Sequence, residues 1–253
     1  RAGHMLEDRR VRHDDRTETL CVDLEHIAVS RGRDRRRSRL ACQQRHLAEH
    51  VADDPLAVFE NRRRLREQLA LPTEPVWLQQ VHGCDIVDAD AAAPKAEGDG
   101  AVSRTPGHVC VVMTADCLPV LFCNDQGTEV AAAHAGWRGL AAGMLEAAVA
   151  AMQSKPEQLM AWLGPAAGAS RYEIGEEVRQ AFLAEDADAE SAFTATRPGH
   201  YLIDMNAIAR KRLQSVGVTR IYGGQHCTIG DIRFYSHRRE QRTGRMASLI
   251  WIS

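Results

Sequence analysis

The chain has 253 residues, of which 44% are hydrophobic and 26% charged, and its formal net charge is −2. This composition is ordinary for a globular protein and excludes wholesale disorder. The near-neutral charge excludes a simple polyanion-binding protein, so we expect no nucleic-acid partner. Because no run of 18 apolar residues occurs, we also expect no transmembrane helix and no membrane partner.

The seven cysteines are scattered, odd in number and without a Cys-x-x-Cys pair. This pattern argues against a disulfide framework and against a structural zinc knuckle. The Arg-rich N-terminus also lacks the apolar core of a secretory signal. We therefore expect reduced thiols and a cytoplasmic protein.

The start of the chain differs from the rest. Residues 1–5 (RAGHM) are typical of a cloning scar, and we exclude them from the fold. Residues 6–45 are an atypical Arg-rich segment, in which six of the nine residues at 31–39 are arginine. Such runs are usually solvated, and aromatic residues that would accompany a nucleic-acid-binding arm are missing here. We predict one catalytic domain over residues 46–253.

Helices are predicted from proline, glycine and apolar spacing. Asp54 and Pro55 are typical of a helix start, and the first helix should reach Leu69. Its core-facing residues should be Leu56, Phe59, Leu65 and Leu69. Further helices are expected over 140–152, 175–184 and 205–216, with Gly217 ending the last one.

Short apolar runs indicate strands, and residues 124–127 (NDQG) indicate a hairpin turn between two of them. Strands and helices do not alternate strictly, which favours an α+β fold with mixed sheets over a doubly wound parallel sheet. The predicted strands cover residues 76–81, 86–89, 109–113, 119–123, 130–134, 159–163, 221–222, 232–234 and 247–252.

Three glycine- or proline-flanked stretches place His82, Cys117 and His134 at or just past predicted strand ends. Two imidazoles and one thiolate can hold a catalytic zinc ion with an open coordination position. Their wide spacing suits ligands from three separate strand ends rather than one local knuckle. The alternative is a core cysteine and two hydrogen-bonded histidines, and spacing alone leaves it open.

Other patterns suggest different chemistry. The segment 46–50 (HLAEH) fits the H-x-x-E-H pattern of some metalloproteases, although five-residue matches arise by chance. Cys117 and His134 would also suit a nucleophile and its general base. The arginines of residues 235–245 could bind phosphate, or they could lie in a solvated loop.

At these motifs the chain resembles the YfiH-type family, whose members are called laccase-domain polyphenol oxidases, peptidoglycan editing factors or purine nucleoside phosphorylases. The resemblance covers about residues 50–253. The matching text, in order, is NRRRLREQLAL, QQVHG, GDGAVS, TADCLPVLF, AAAHAGWRG, WLGPAAG, YEIGEEV and FYSHRREQRTGR.

The resemblance implies a four-layer α/β/β/α fold with mixed sheets and a metal site of two histidines and a cysteine. By motif these ligands fall on His82, Cys117 and His134. It also implies phosphorolysis of adenosine, inosine and methylthioadenosine, and deamination of adenosine. The alternatives are copper-dependent phenol oxidation and the hydrolysis of peptidoglycan precursors by a cysteine or zinc hydrolase.

Several expectations follow for a site of this kind. We expect Zn²⁺ with Cu²⁺ as the alternative, and a monomer acting on a purine nucleoside and phosphate. Arg138, Arg238 and Arg245 are the candidates for binding the anion. Asp116, next to Cys117, is expected to orient a ligand or transfer a proton, unless it only caps a turn. Met113 could supply an axial copper ligand but suits strand packing better.

The N-terminal segment departs from the family pattern. Family members carry Arg-Gly-Gly-Val-Ser and then a Ser-Leu-Asn-Leu-like segment, where this chain reads AVSRG followed by arginines. Family-like text resumes near residues 50–54, so part of 6–45 is open to interpretation as a shifted reading frame. Family residues from that segment are not carried over.

Overall fold

The computed structural model describes Leu47 and residues 55–253. Within these residues the helices are α1 (Pro55–Gln68), α2 (Trp137–Ala142), α3 (Met144–Ala151), α4 (Glu176–Leu183), α5 (Met205–Ser215) and α6 (His237–Glu240). The strands are β1 (Ile86–Asp88), β2 (Gly100–Ser103), β3 (Val109–Thr114), β4 (Leu118–Asn124), β5 (Val130–Ala135), β6 (Leu159–Leu163), β7 (Glu173–Gly175), β8 (Phe193–Arg197), β9 (His200–Ile203), β10 (Arg220–Gly223) and β11 (Met246–Trp251).

The described strands form three sheets. A six-stranded sheet has the order β1-β2-β5-β4-β6-β10, and β11 pairs with β3 while β9 lies between β7 and β8. In the large sheet the two outer pairs are parallel and the inner pairs antiparallel. The predicted mixed-sheet α+β fold is therefore confirmed, whereas its four-layer order stays a prediction.

The strands that carry the site are buried on both sides. Every residue of β5 is buried, and its alternate alanines enter two different apolar clusters. Ala131, Ala133 and Ala135 face the cluster of α2 to α5, and Val130 and Ala132 face the cluster that includes β3 and β11. His134 alternates with the alanines of the first set. A polar side chain is thus held inside a rigid sheet, where it must be hydrogen-bonded.

The first helix was predicted in the right place, and two of its four predicted core residues are correct, since Leu65 is buried and Leu69 packs against the same apolar cluster. Leu56 and Phe59 are 76% and 69% exposed, while Val58 and Leu65 are 2% and 3% exposed. The buried face includes Arg62, whose guanidinium lies 4.1 Å from the centre of the Trp77 ring. A count of apolar positions does not predict that an arginine takes this place, since a long charged side chain can pack against an aromatic ring.

Two other predicted elements are interrupted. The helix over 140–152 breaks at Gly143, whose φ of +99° ends α2 and starts α3. The predicted strand at 232–234 is a turn, because the backbone N–H groups of Arg233 and Phe234 donate to Asp231. At 76–81 the structure has only isolated bridges at Val76 and Gln79.

The remaining predictions agree more closely. The hairpin at 124–127 joins β4 and β5, and α4 and α5 match their predicted bounds to within about one residue. Gly217 ends α5 at a φ of +96°, with its N–H donating to Gln214 and the next N–H donating to Leu213. This is the Schellman arrangement that satisfies the last helical carbonyls. The sheet of β7, β8 and β9 and the short strand β2 were not predicted.

Candidate metal centre

The three predicted ligands come together at one end of the two central strands, β5 and β4, of the large sheet. The ligand atoms of His82, Cys117 and His134 all lie within 4.8 Å of one another. Cys117 Sγ is 3.9 Å from His82 Nε2, and the two imidazole rings meet edge-on at 4.8 Å between centres. Two nitrogen donors and one sulfur donor suit zinc or copper, so the donor set fits such an ion.

Strand register explains why residues far apart in the chain meet. His134 lies on β5 opposite Pro119 of β4, so Cys117, just before β4, falls beside Gly136. A Cβ atom on Gly136 would lie 3.0 Å from His82 Cδ2 and 3.2 Å from Cys117 Sγ. Only a residue without a side chain leaves this space to the three ligands.

The buried carboxylate of Asp99 connects two of these ligands. It is 0% exposed, and its Oδ1 lies 2.7 Å from His134 Nδ1. The same oxygen accepts from the His82 N–H, and Oδ2 accepts from the N–H groups of Val81 and Gly83. Burial raises the pKa of Asp99, but the His134 and backbone hydrogen bonds more than compensate and lower it.

The turn that carries His82 has unusual geometry. His82 is exposed, and its φ is +65°, a conformation that few residues other than glycine adopt. The turn also touches α2, because a Cβ on Gly139 would lie 2.7 Å from the Gly83 carbonyl oxygen. Strain of this kind persists only where the surroundings enforce it, and here Asp99 and Gly139 do so.

Charges at the centre favour a thiolate. Burial raises the pKa of the Cys117 thiol, but the charges and hydrogen bonds of His134 and His82 outweigh it and lower the pKa to about 6. Burial lowers the pKa of His134, but the charges and hydrogen bonds of Cys117 and Asp99 outweigh burial and raise the pKa to about 9. Without a metal, the thiolate and the imidazolium therefore support each other.

The Asp116 carboxylate contacts the segment around α6, although Asp116 is next to Cys117 in the chain. Its Oδ1 accepts from Thr228 Oγ1 at 2.5 Å, and its Oδ2 accepts from Ser236 Oγ at 3.0 Å and the Arg238 N–H at 2.6 Å. Its φ is +87°. In this structure the carboxylate anchors the segment around α6 to the Cys117 turn, and its expected part in proton transfer stays a prediction.

The three candidate arginines lie in different surroundings. Arg138 is exposed and stacks 4.3 Å over the Trp137 ring. Arg238 lies 5.1 Å from the centre of the Tyr172 ring and donates to the Glu173 carbonyl. Arg245 is partly buried; burial lowers its pKa, and the negative charges of Cys117 and Asp116 oppose that change. Arg245 is therefore within electrostatic reach of the centre.

Sequence reasoning missed two residues near the site. Asp99 stands between two glycines just before a strand, and a lone acid bracketed by glycines was its only signal. Tyr172 is the second missed residue. Burial and the nearby Cys117 charge raise its pKa to about 12, while Arg238 opposes the change. Met113, the weighed axial ligand, is 6% exposed and packs in an apolar cluster.

Two further expectations concern the H-x-x-E-H pattern and membrane-spanning helices. His46, Glu49 and His50 of the H-x-x-E-H pattern lie outside the described residues, as do residues 1–45 and the Asp54 cap. Among the residues that are described, no helix is both long and apolar enough to cross a membrane.

Comparisons with known proteins agree with the motif analysis. The purine nucleoside phosphorylase YfiH of Escherichia coli is 52% identical over 209 residues, which cover 82% of this chain and 86% of that protein. A purine nucleoside phosphorylase of Pseudomonas aeruginosa is 53% identical over 209 residues, covering 82% and 85%. Both relatives thus match almost the same share of the chain.

Solved structures share the fold. A protein from Neisseria meningitidis superposes with a TM-score of 0.79 at 46% identity, covering 82% of this chain and 86% of that one. YlmD from Geobacillus stearothermophilus gives a TM-score of 0.74 at 31% identity, covering 82% and 84%. The model of the family described as multi-copper polyphenol oxidoreductase laccase matches residues 27–253, and the chain belongs to this family, the YfiH-type family that its motifs resemble.

Proposed function

We propose that the chain is a metal-dependent purine nucleoside phosphorylase that also deaminates adenosine. It would convert adenosine, inosine and methylthioadenosine, with phosphate, to the free base and the ribose 1-phosphate. The observation that carries the proposal is the meeting of His82, Cys117 and His134 within 4.8 Å. Relatives that are 52% and 53% identical carry the name purine nucleoside phosphorylase, which supports it.

His82, Cys117 and His134 would hold the metal ion, with Zn²⁺ preferred because imidazole and thiolate suit it and three ligands leave a position open. When bound, such an ion supplies Lewis-acid chemistry at the open position. Cu²⁺ is the alternative ion, and the family description favours it. With copper, phenol oxidation is the second candidate function.

The chain's own groups would do the remaining work. In phosphorolysis a phosphate oxygen bonds to C1′ while the bond from C1′ to the purine nitrogen breaks, and the purine takes up a proton. Arg138, Arg238 and Arg245 would orient the phosphate, since guanidinium groups bind such oxygens in pairs. In deamination water adds at C6 and ammonia leaves, and Asp116 would transfer the proton.

The test is phosphate-dependent release of hypoxanthine from inosine by protein purified without added metal. We expect equal amounts of hypoxanthine and ribose 1-phosphate, and we expect Cys117→Ala to lose activity by about a thousandfold or more. Cys84→Ala is the matched control, because this partly buried thiol donates to the Gly139 carbonyl and lies outside the ligand set. Wild-type protein that releases no base in the presence of phosphate would refute the proposal.

The same preparation separates the alternatives. Metal analysis distinguishes zinc from copper, and oxygen uptake with a phenol that follows added copper would favour the oxidase. The hydrolase is tested on a peptidoglycan precursor with a wrong first amino acid. Turnover of this substrate that survives chelation but stops when Cys117 is alkylated would favour a cysteine hydrolase. We further propose that the enzyme is a cytoplasmic monomer, which sedimentation and fractionation would check.

A further inference from the structure

One carboxylate serves both histidines of the centre in different ways. Asp99 accepts four hydrogen bonds, one from the His134 ring and three from the backbone of the turn around His82. It has no exposed surface. The His134 backbone N–H also donates to the Asp99 carbonyl at 2.7 Å, so the two residues are fixed to each other twice.

The ring contact fixes which nitrogen of His134 faces the ligands. An ionised carboxylate only accepts hydrogen bonds, so a separation of 2.7 Å requires the proton on Nδ1. The lone pair of Nε2 is then available to a metal ion on the side of Cys117. Metal-binding histidines in general depend on such a partner for their tautomer and ring orientation.

The backbone contacts fix His82 by another route. Its side chain is exposed, and its φ of +65° costs free energy, so the turn needs an external support. Three successive N–H groups that point at one carboxylate supply that support. Val81 is 46% exposed, yet its N–H donates to Asp99 at 3.0 Å.

We propose that Asp99 is the positioning residue that sets both imidazoles of the centre, His134 through its ring and His82 through its backbone. This inference rests on the proposed function only in assigning the two histidines to a metal ion. Packing leaves Asp99 little freedom to move, because a Cβ on either neighbouring glycine, Gly98 or Gly100, would lie within 2.7 Å of another side chain.

The variant Asp99→Asn separates the two tasks. An amide has one oxygen and one NH₂ group, so it can accept from the His134 ring or from the Val81 and Gly83 amides, but not from both. We expect loss of exchange protection at those amides, by about tenfold or more, or a shift of the His134 proton to Nε2. Zinc affinity should fall about 10- to 100-fold, measured by competition with a chromophoric chelator.

Asp85→Asn is the matched control. It is the same substitution of a carboxylate by an amide, made at an exposed side chain just before β1. It should leave zinc affinity, the His134 tautomer and amide exchange unchanged. A folded Asp99→Asn protein that keeps both the amide protection and the tautomer would overturn the proposal. A fall in thermal stability with unchanged zinc affinity would overturn it as well, since it would show a merely structural role.

Wild-type protein provides a test that needs no variant. In ¹⁵N-labelled, metal-free protein, His134 should keep a proton on Nδ1 in both the charged and the neutral form of its ring, and the amides of Val81, His82 and Gly83 should exchange slowly for so exposed a turn. A neutral His134 with its proton on Nε2 would refute the role of Asp99. These readouts stand even if no metal binds, so the failure of this inference and that of the proposed function are distinguishable.

Discussion

Two buried aspartates hold the two sides of the centre, and they differ in what they touch. Asp99 lies 35 residues from His134 in the chain and contacts its ring directly. Asp116 is the sequence neighbour of Cys117, yet its carboxylate contacts Thr228, Ser236 and the backbone of Arg238. The first aspartate therefore belongs to the ligand side of the site and the second to the arginine side. The aspartate that contacts the His134 ring is thus not the one that is adjacent to Cys117 in the sequence.

The largest effect should come from removing the charge of Asp116. Thr228 and Ser236 are both 0% exposed, so their donors have no access to water when the acceptor is weakened. Asn tolerates the positive φ at this position, so Asp116→Asn changes the hydrogen bonds and little else. We expect a loss of about 3 kcal/mol in the free energy of unfolding, measured by urea denaturation of metal-free protein.

Asp85→Asn again serves as the control and should change the free energy of unfolding by less than about 0.5 kcal/mol. The comparison is sharpened by measuring zinc affinity in parallel, since Asp116→Asn should weaken it less than Asp99→Asn does. If Asp116→Asn costs under about 1 kcal/mol, the carboxylate is not the anchor of the arginine side.

A methyl group at position 136 tests how tightly the ligands are packed. Gly136 has a φ of −62°, which alanine adopts freely, so Gly136→Ala acts only through its new Cβ. Because that Cβ would crowd His82 and Cys117, we expect zinc affinity to fall about tenfold, measured by chelator competition. Gly83→Ala, whose Cβ would make only ordinary contacts of 3.6 and 3.7 Å, should have a clearly smaller effect. Equal affinities for the two variants would contradict this account.

The sequence predicted the meeting of the three donor side chains better than the contacts that hold them in place. His82, Cys117 and His134 follow apolar runs and small residues, and such local patterns are visible in one chain. The role of Asp99 depends on contacts between turns that only the folded sheet brings together. On α1 the prediction was wrong for Leu56 and Phe59 for a similar reason, because Arg62 takes a position against Trp77 that apolar spacing does not predict. The sheet of β7 to β9 likewise depends on tertiary packing that outweighs local propensity, whereas the one-residue break at Gly143 had a local signal in the glycine itself.

The arginine side should affect substrate binding more than metal binding. Arg245 is the partly buried arginine on which the charges of Cys117 and Asp116 act. Replacing it by glutamine removes a charge that phosphate would meet, so we expect the KM for phosphate to rise about fivefold with little change in kcat. Arg64→Gln, on exposed α1 beside Glu60, should leave both constants unchanged. An unchanged KM for phosphate in Arg245→Gln would remove this residue from the anion site.

The smallest effect concerns the thiol that lies between the two sides. With a pKa near 6, Cys117 of metal-free protein should be alkylated by iodoacetamide at a rate that is half-maximal at about pH 6 and level above it. The rate should fall as the pH drops below 6, because the thiolate then takes up a proton. At pH 7 the advantage over an ordinary thiol should be only about threefold, since a less basic thiolate is also a weaker nucleophile. Burial raises the pKa of Cys84, so this thiol is the internal control and should react appreciably only at high pH. A Cys117 midpoint near pH 9 would show that the histidines do not stabilise the thiolate. If the three residues share one ion, stoichiometric zinc should suppress the alkylation at every pH.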